Sequence, residues 1–257
     1  MFDLQNRIAV VTGASAGIGK ATAEALASAG CNLILVARRL EKIEEFAQYL
    51  IEKYGVKCFC GKLDVRNRDD VERFFKNLPI DFAKVDILVN NAGLAKGMGP
   101  MHTNSVDDWE TMIDTNVKGL LYVSRAVVPG MVERDRGHII NIGSIAGRGT
   151  YPGGGVYCAT KHAVNAITNS LRKDLTNTSI RVSTVDPAFT ETEFSIVRFD
   201  GDGEKAKKVY EGFEPLLAED IADAILYVVT RPPHVTISDM VIYPTAQSDF
   251  HLVNRKN

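Results

Sequence analysis

The stretch Thr12-Gly13-Ala14-Ser15-Ala16-Gly17-Ile18-Gly19 narrows what this chain can fold into more than any other. Before it, Ile8–Thr12 is a short β-branched run; after it, residues 21–29 are rich in helix formers and Gly30 follows as a stop. A strand that turns directly into a helix needs glycine where the backbone bends sharply, where it approaches a ligand, and where helix and strand pack close. The turn also faces a helix N-terminus, whose unpaired N–H groups and dipole favour an anion such as the pyrophosphate of a dinucleotide. Gly13, Ser15, Ala16, Gly17, Ile18 and Gly19 are therefore the expected cofactor-binding turn.

The alternation continues. Asn32–Ala37 is continuously apolar, and Leu40, Ile43, Phe46 and Leu50 then recur at helical spacing up to Gly55. Strands are expected over 56–63, 85–89, 138–142, 180–185 and near 240–243. Helices are expected over 69–78, 157–175 and 219–229, with one or two more between 106 and 131. Continuously apolar strands require a sheet covered on both faces, and strand-helix-strand order favours parallel pairing. The expected fold is a doubly wound parallel α/β sheet of the Rossmann type, about seven strands with helices on both faces. No Pro/Gly/Ser-rich linker divides residues 1–257, so one domain is expected. Residues 188–217 lack a clean period and read as a loop-like substrate lid.

Thirty Lys+Arg against thirty-two Asp+Glu give a net charge of −2, which offers no reason to bind nucleic acid or an anionic membrane. The N-terminus lacks a basic stretch followed by an apolar core, so a cytoplasmic protein is expected. Cys31, Cys58, Cys60 and Cys158 sit in apolar or strand-like runs without redox or zinc spacing, and the five histidines are scattered, so no metal is expected.

An NAD site places a carboxylate about twenty residues after the Gly motif to hold the ribose 2′-hydroxyl, whereas a 2′-phosphate calls for arginine. Here the second strand ends in Ala37-Arg38-Arg39, which favours NADP over two guanidiniums that merely solvate a helix start. Asp64 either accepts from the adenine amino group or caps the helix after it. Tyr157 and Lys161 lie four residues apart on one helix face, where the ammonium would lower a phenol that starts near ~10 and make Tyr157 a base at neutral pH. Ser144 follows the expected strand 138–142, the carboxyl-end position where α/β sheets put their sites.

With Asp64-Val65, Asn90-Asn91-Ala92-Gly93, Asn116 and Tyr157-Cys158-Ala159-Thr160-Lys161 in this order after the Gly turn, the chain resembles the short-chain dehydrogenase/reductase family in its single-domain form. The resemblance implies that Tyr157 is the acid/base, that Ser144 polarises the substrate oxygen, and that Lys161 binds the nicotinamide ribose and lowers the Tyr157 pKa. It implies that Asn116 holds a water that relays the proton. It puts Asp64, Val65, Asn90, Ala92 and Gly93 around the adenosine side of the cofactor, with Asn90 and Gly93 also supporting the sheet, and Pro187, Thr190 and Thr192 on the nicotinamide side. Pro187-Ala188 departs from the family's Pro-Gly.

A second resemblance lies in 190–195, 197–199, 205–206, 210–212, 215–216, 219–222 and Pro244-Thr245, which are similar to NADP-dependent 3-hydroxy acid dehydrogenases. It implies homotetramers that oxidise serine, allo-threonine and related short 3-hydroxy acids. A carboxylate substrate needs a cation beside Ser144 and Tyr157, and Arg148 and Arg198 are the two candidates. The alternatives are an NADPH-dependent reductase of neutral aldehydes and ketones and, from another class, an inactive nucleotide-sensing module. The joint presence of Asn116, Ser144, Tyr157 and Lys161 weighs against the second. The polar tail 247–257 is expected to be ordered only by a neighbouring subunit.

Overall fold

The structure, a computed structural model, describes residues 3–256. β1 (Ile8–Thr12), β2 (Asn32–Ala37), β3 (Cys58–Lys62), β4 (Ile87–Asn90), β5 (Gly137–Ile142), β6 (Ile180–Pro187) and β7 (Asp239–Ile242) form one sheet. Its order is β3-β2-β1-β4-β5-β6-β7, and every pair is parallel. β3 is shorter than expected because, at the sheet edge, it pairs with β2 alone, from Leu33–Cys58 to Ala37–Lys62.

Alternate residues of each strand enter different cores, which is why the strands read as unbroken apolar runs. On one face Val11, Leu33 and Leu35 pack with α1 (Gly17–Ser28), α2 (Leu40–Tyr54) and α9 (Ala218–Val229) through Leu26, Ile43, Leu50 and Ile225. On the other, Val10, Ile34 and Leu88 pack with α3 (Arg68–Lys76), α5 (Leu120–Glu133) and α6 (Gly155–Asp174) through Val71, Val123, Met131 and Leu171.

The expected helical region 106–131 is divided: α4 (Val106–Ile113) runs into a π-helical turn at Asp114–Gly119 before α5. Such wide turns recur at functional sites, and this one carries Asn116 inward. The lid is more ordered than its sequence suggests. It holds α7 (Glu193–Arg198) and α8 (Gly203–Lys208), started by the side chains of Thr192 and Asp202; six residues each is too short to reveal a period. The tail also packs on its own chain. Phe189 N–H donates to Gln247 Oε1 at 3.1 Å, Phe250 packs against Tyr151, and Arg255 donates to the carbonyls of Val209 and Glu211. No neighbouring subunit is needed to order it.

The four cysteines are free, and burial pushes the thiols of Cys31 and Cys58 up to about 12 and of Cys60 to about 11. No helix among the described residues is long and apolar enough to cross a membrane.

Candidate active site

Strand order reverses between β1 and β4, and a cleft of about 810 Å³ opens there along the carboxyl ends of the strands. Gly13 has φ +69°, and a Cβ on it would lie 2.9 Å from Asn91 Nδ2 and 3.1 Å from Ala92 Cα. Gly19 does not line the cleft; a side chain there would collide with the Gly13 carbonyl, so it lets α1 sit close to the turn. Asn91 braces the turn: its Nδ2 donates to Thr12 O at 2.8 Å, and the N–H groups of Asn91 and Ala92 donate to Thr12 Oγ1 at 2.9 Å. α1 starts after Ala16 with no side-chain cap, which leaves its first N–H groups to a ligand.

Arg38 lines the cleft and makes no hydrogen bond or ion pair among the described residues. Arg39 donates from Nε and Nη2 to Ser15 Oγ at 3.1 and 3.0 Å and pairs with Glu193 of the lid at 2.9 Å. A cradle that excludes side chains, an uncapped helix start and an unengaged guanidinium together fit a phosphorylated dinucleotide. Ser15, Ala16, Gly17, Ile18, Val65, Ala92, Gly93, Pro187, Thr190 and Thr192 all line the cleft as expected.

Two cofactor-side expectations change. Asn90 does not reach the cleft: as the last strand residue it points into the sheet layer and donates to Ser124 Oγ and Asn141 Oδ1. Asn91, one residue on, lines the cleft instead. Asp64 does line it, but its carboxylate is gripped by Arg66 at 2.6 to 3.1 Å, which holds it below the usual carboxylate range. It does not cap α3, whose start is held by the Asn67 side chain. Ala188 replaces the family glycine without strain, since its φ is not positive and its N–H donates to Ile242 O at 2.8 Å.

At the other end of the cleft Ser144, Tyr157, Lys161 and Arg198 come together. Ser144 follows β5, and its Oγ accepts from Ala146 N–H at 3.1 Å. Tyr157 and Lys161 share the buried face of α6. Lys161 Nζ lies 5.9 Å from the Tyr157 ring centroid and donates to Ile142 O at 2.8 Å. Burial lowers its ammonium to about 8. The two side chains meet as their spacing on α6 requires. Burial pushes the phenol above its usual range, opposed first by the Arg198 guanidinium and then by the Ser144 hydroxyl. A protonated phenol beside a hydroxyl can give a proton to a carbonyl oxygen or, once ionised, take one from a carbinol.

Asn116 is held on both sides of its amide. Its Oδ1 accepts from Leu94 N–H at 2.9 Å, and its Nδ2 donates to Leu94 O and Thr160 Oγ1 at 2.8 and 3.0 Å. Both Nδ2 protons are used, so the side chain fixes the loop after β4 to α6.

The two arginine candidates separate. Arg148 is turned away from the cleft: it bonds the buried Asp186 through Nε at 2.7 Å and Nη2 at 2.5 Å, and Asp239 at 3.0 Å. Arg148 does not line the cleft and its charge is balanced by two carboxylates, so the expectation that it binds the substrate carboxylate fails. Arg198 lies in the cleft with its Cζ 5.1 Å from the ring centroids of Tyr157 and Phe194, and its Nη2 donates to Tyr151 OH at 3.0 Å. Tyr151, Phe194 and Phe250 line this end and escaped the sequence reading, because distant segments bring them together without a local pattern. His162 turns away and bonds its own helix at Cys158 O.

A nucleotide cradle and a Ser-Tyr-Lys group at one switch point define a dinucleotide-dependent oxidoreductase. The sequence profile of the family described as short chain dehydrogenase matches residues 7–202, and the chain belongs to that family. It is 46% identical over 257 residues to an NADP-dependent 3-hydroxy acid dehydrogenase of Schizosaccharomyces pombe, covering 100% of this chain and 99% of that one. It is 49% identical over 242 residues to an enzyme of the same name from Salmonella typhi, covering 94% and 96%. The closed form of a serine dehydrogenase complexed with NADP+ superposes with a TM-score of 0.91 at 47% identity, covering 97% of this chain and 100% of that one.

Proposed function

We propose that this chain oxidises short 3-hydroxy acids such as serine and allo-threonine, with NADP as its cofactor, and runs the reverse reduction on the same residues. The observation that carries the reading is the Arg198 guanidinium, 5.1 Å from the Tyr157 ring inside a cleft whose other end presents Arg38 and Arg39. One cation faces the reacting end and a pair faces the end where a 2′-phosphate would lie. The names of the two relatives and of the serine dehydrogenase complex support the same reading.

When bound, NADP supplies the hydride acceptor. The pyrophosphate would rest on the Gly13–Gly19 turn, the 2′-phosphate on Arg38 and Arg39, and the nicotinamide ribose on Lys161. Ser144 Oγ holds the substrate oxygen, and Tyr157 Oη takes the hydroxyl proton as the carbinol is oxidised or returns it in reduction. Arg198 pairs with the substrate carboxylate, and Asn116 positions α6 through Thr160. Residues 188–217 cover the site and exclude water. This reading includes one domain over the whole chain, a homotetramer and a cytoplasmic setting; light scattering on a sizing column checks the assembly.

The test is an initial-rate panel in the reduced-nicotinamide band, with NADP+ or NAD+ against serine, allo-threonine, 3-hydroxybutyrate, 3-hydroxypropionate and neutral secondary alcohols. Rates with NADP+ and the hydroxy acids, and not with neutral alcohols, are expected. Rates confined to neutral alcohols, or to reduction of neutral ketones, replace this reading with a carbonyl reductase.

A further inference from the structure

We infer that Arg148 is a positioning residue for Ser144: through the buried Asp186 carboxylate it clamps the turn after β5 against the end of β6, and so sets where the Ser144 hydroxyl stands. This rests on the catalytic part proposed for Ser144 and not on which substrate is oxidised.

The turn is short and tied at both ends. After Ser144 one tight helical turn, Ile145–Gly147, leads to Arg148, with Gly147 N–H donating to Ser144 O and Arg148 N–H to Ile145 O, each at 2.8 Å. At its start Gly143 N–H donates to Val185 O at 2.9 Å, and Ser144 Oγ donates to Pro187 O at 3.4 Å. At its end Arg148 Nε donates to Asp186 Oδ2 at 2.7 Å, while Nη2 lies 2.5 Å from the same oxygen and 3.0 Å from Asp239 Oδ1 of β7. Val185, Asp186 and Pro187 are consecutive in β6, so the Ser144 hydroxyl and the Arg148 guanidinium grip the same stretch of strand. The hydroxyl bond is too long to hold the turn by itself, whereas the guanidinium bonds are short and charge-assisted.

Arg148 is also what holds the Asp186 carboxylate. Asp186 Oδ1 has no hydrogen-bond partner among the described residues and rests against Gly143, where a Cβ would collide with it. The same Cβ would lie 3.4 Å from Asn165 Oδ1, and Asn165 Nδ2 donates to Gly147 O at 2.9 Å. Tyr157, Lys161 and Asn165 follow one another at four-residue spacing along α6, so Asn165 ties the face of the helix that bears Tyr157 to the turn that bears Ser144. The turn is wedged between that face and the Asp186 carboxylate, and without Arg148 one side of the wedge is loose.

A double-mutant cycle in the full chain reads the coupling, with whichever substrate reacts fastest in the rate panel. Arg148→Met is made in wild type and in Ser144→Ala, and rates are followed as single turnovers with enzyme in excess, so that the slow residual reaction of Ser144→Ala is measurable. NADPH affinity is measured in parallel by fluorescence. With Ser144 present, the rate is expected to fall about ten- to a hundred-fold, as a displacement of about 1 Å at a reacting group does, and NADPH affinity to stay unchanged. In Ser144→Ala the same substitution is expected to cost less than about two-fold, because the group it positions is gone. Arg148→Lys keeps the buried carboxylate compensated, so it folds even where Arg148→Met does not. It lacks the planar fork that spans two carboxylates, so the rate still falls several-fold, and again only when Ser144 is present. Equal losses in both backgrounds, or no loss in either, overturn the inference and leave the pair a role in stability alone. Near-normal rates in Ser144→Ala by itself remove the role of Ser144 and this inference with it. A panel that answers only to neutral ketones leaves the cycle readable, since the substrate oxygen meets Ser144 in either case.

Discussion

The guanidinium of Arg148 lies 2.5 Å from Asp186 Oδ2, and that carboxylate is fully buried at the end of β6. A buried carboxylate stays ionised only while a partner compensates for the water it has lost, and Arg148 is that partner. Arg148→Met is expected to destabilise the fold by about 3 kcal/mol, the low end for breaking such a pair because Arg148 is itself partly solvated. Burial already pushes Asp186 up, and losing Arg148 pushes it further. An acid raised in the folded state binds more protons folded than unfolded, so stability falls as pH rises through that range. Urea midpoints should show the deficit largest at neutral pH and reduced in mild acid, and Asp186→Asn should rescue much of it. A deficit flat with pH would place the cost in packing instead.

Lys161 carries the opposite linkage. Burial lowers its ammonium from 10.5 to about 8, so between those values the unfolded chain holds a proton that the folded chain does not. Stability gained by losing that charge is absent below about 8 and fully present above 10.5. Lys161→Met removes the dependence. The variant should therefore be more stable than wild type near neutral pH by on the order of 2 kcal/mol, with the gap closing as pH rises through the window. Denaturant midpoints across it measure the gap; a constant difference would mean that Lys161 is not desolvated.

At the cofactor end the lid competes for a cation. Glu193 pairs with Arg39 at 2.9 Å and approaches Lys42 at 3.8 Å, with both side chains of the Glu193–Arg39 pair nearly half exposed. An exposed pair is weak, and a dianionic 2′-phosphate outbids a carboxylate for the same guanidinium. Glu193→Gln should tighten NADPH binding a few-fold by fluorescence titration and leave NADH binding unchanged. Arg38→Asp should weaken NADPH by a hundred-fold or more and spare NADH. Equal losses for both nucleotides would remove the 2′-phosphate role from Arg38.

The fold was legible because each strand serves two cores. Val10 packs on one face and Val11 on the other, so unbroken apolar runs announced a covered sheet. The Gly turn, Ser144 and the Tyr157–Lys161 pair were legible because local geometry fixes them. What escaped depends on partners far away in sequence. Arg148 was read as a substrate ligand because Asp186 and Asp239 meet it only after β6 and β7 join the sheet. Asn91 lines the cleft where Asn90 was expected, because one residue of strand register turns a side chain from cleft to core. The other neighbours of the Tyr157–Lys161 pair were not legible, because four-residue spacing brings two side chains to one face without deciding what else lies there. Ile142 O accepts from the ammonium, and Arg198 of the lid lies over the Tyr157 ring.

Tyr157 bears the last prediction. It is 8% exposed and faces the cleft beside Ser144. Replacing it with phenylalanine removes one oxygen and keeps the ring that packs on Phe194 at 5.6 Å, so the fold and the lid contact should survive. The nucleotide cradle lies at the far end of the cleft and loses nothing. Turnover should therefore drop by about 10²–10⁴, the usual worth of a positioned proton-transfer group, while NADPH affinity stays within two-fold or so. A matched pair of measurements decides it: steady-state turnover with the best hydroxy acid and fluorescence titration with NADPH. Near-normal turnover would give the proton to another group, whereas equal loss of turnover and NADPH binding would mean that Tyr157 shapes the cleft rather than moves the proton.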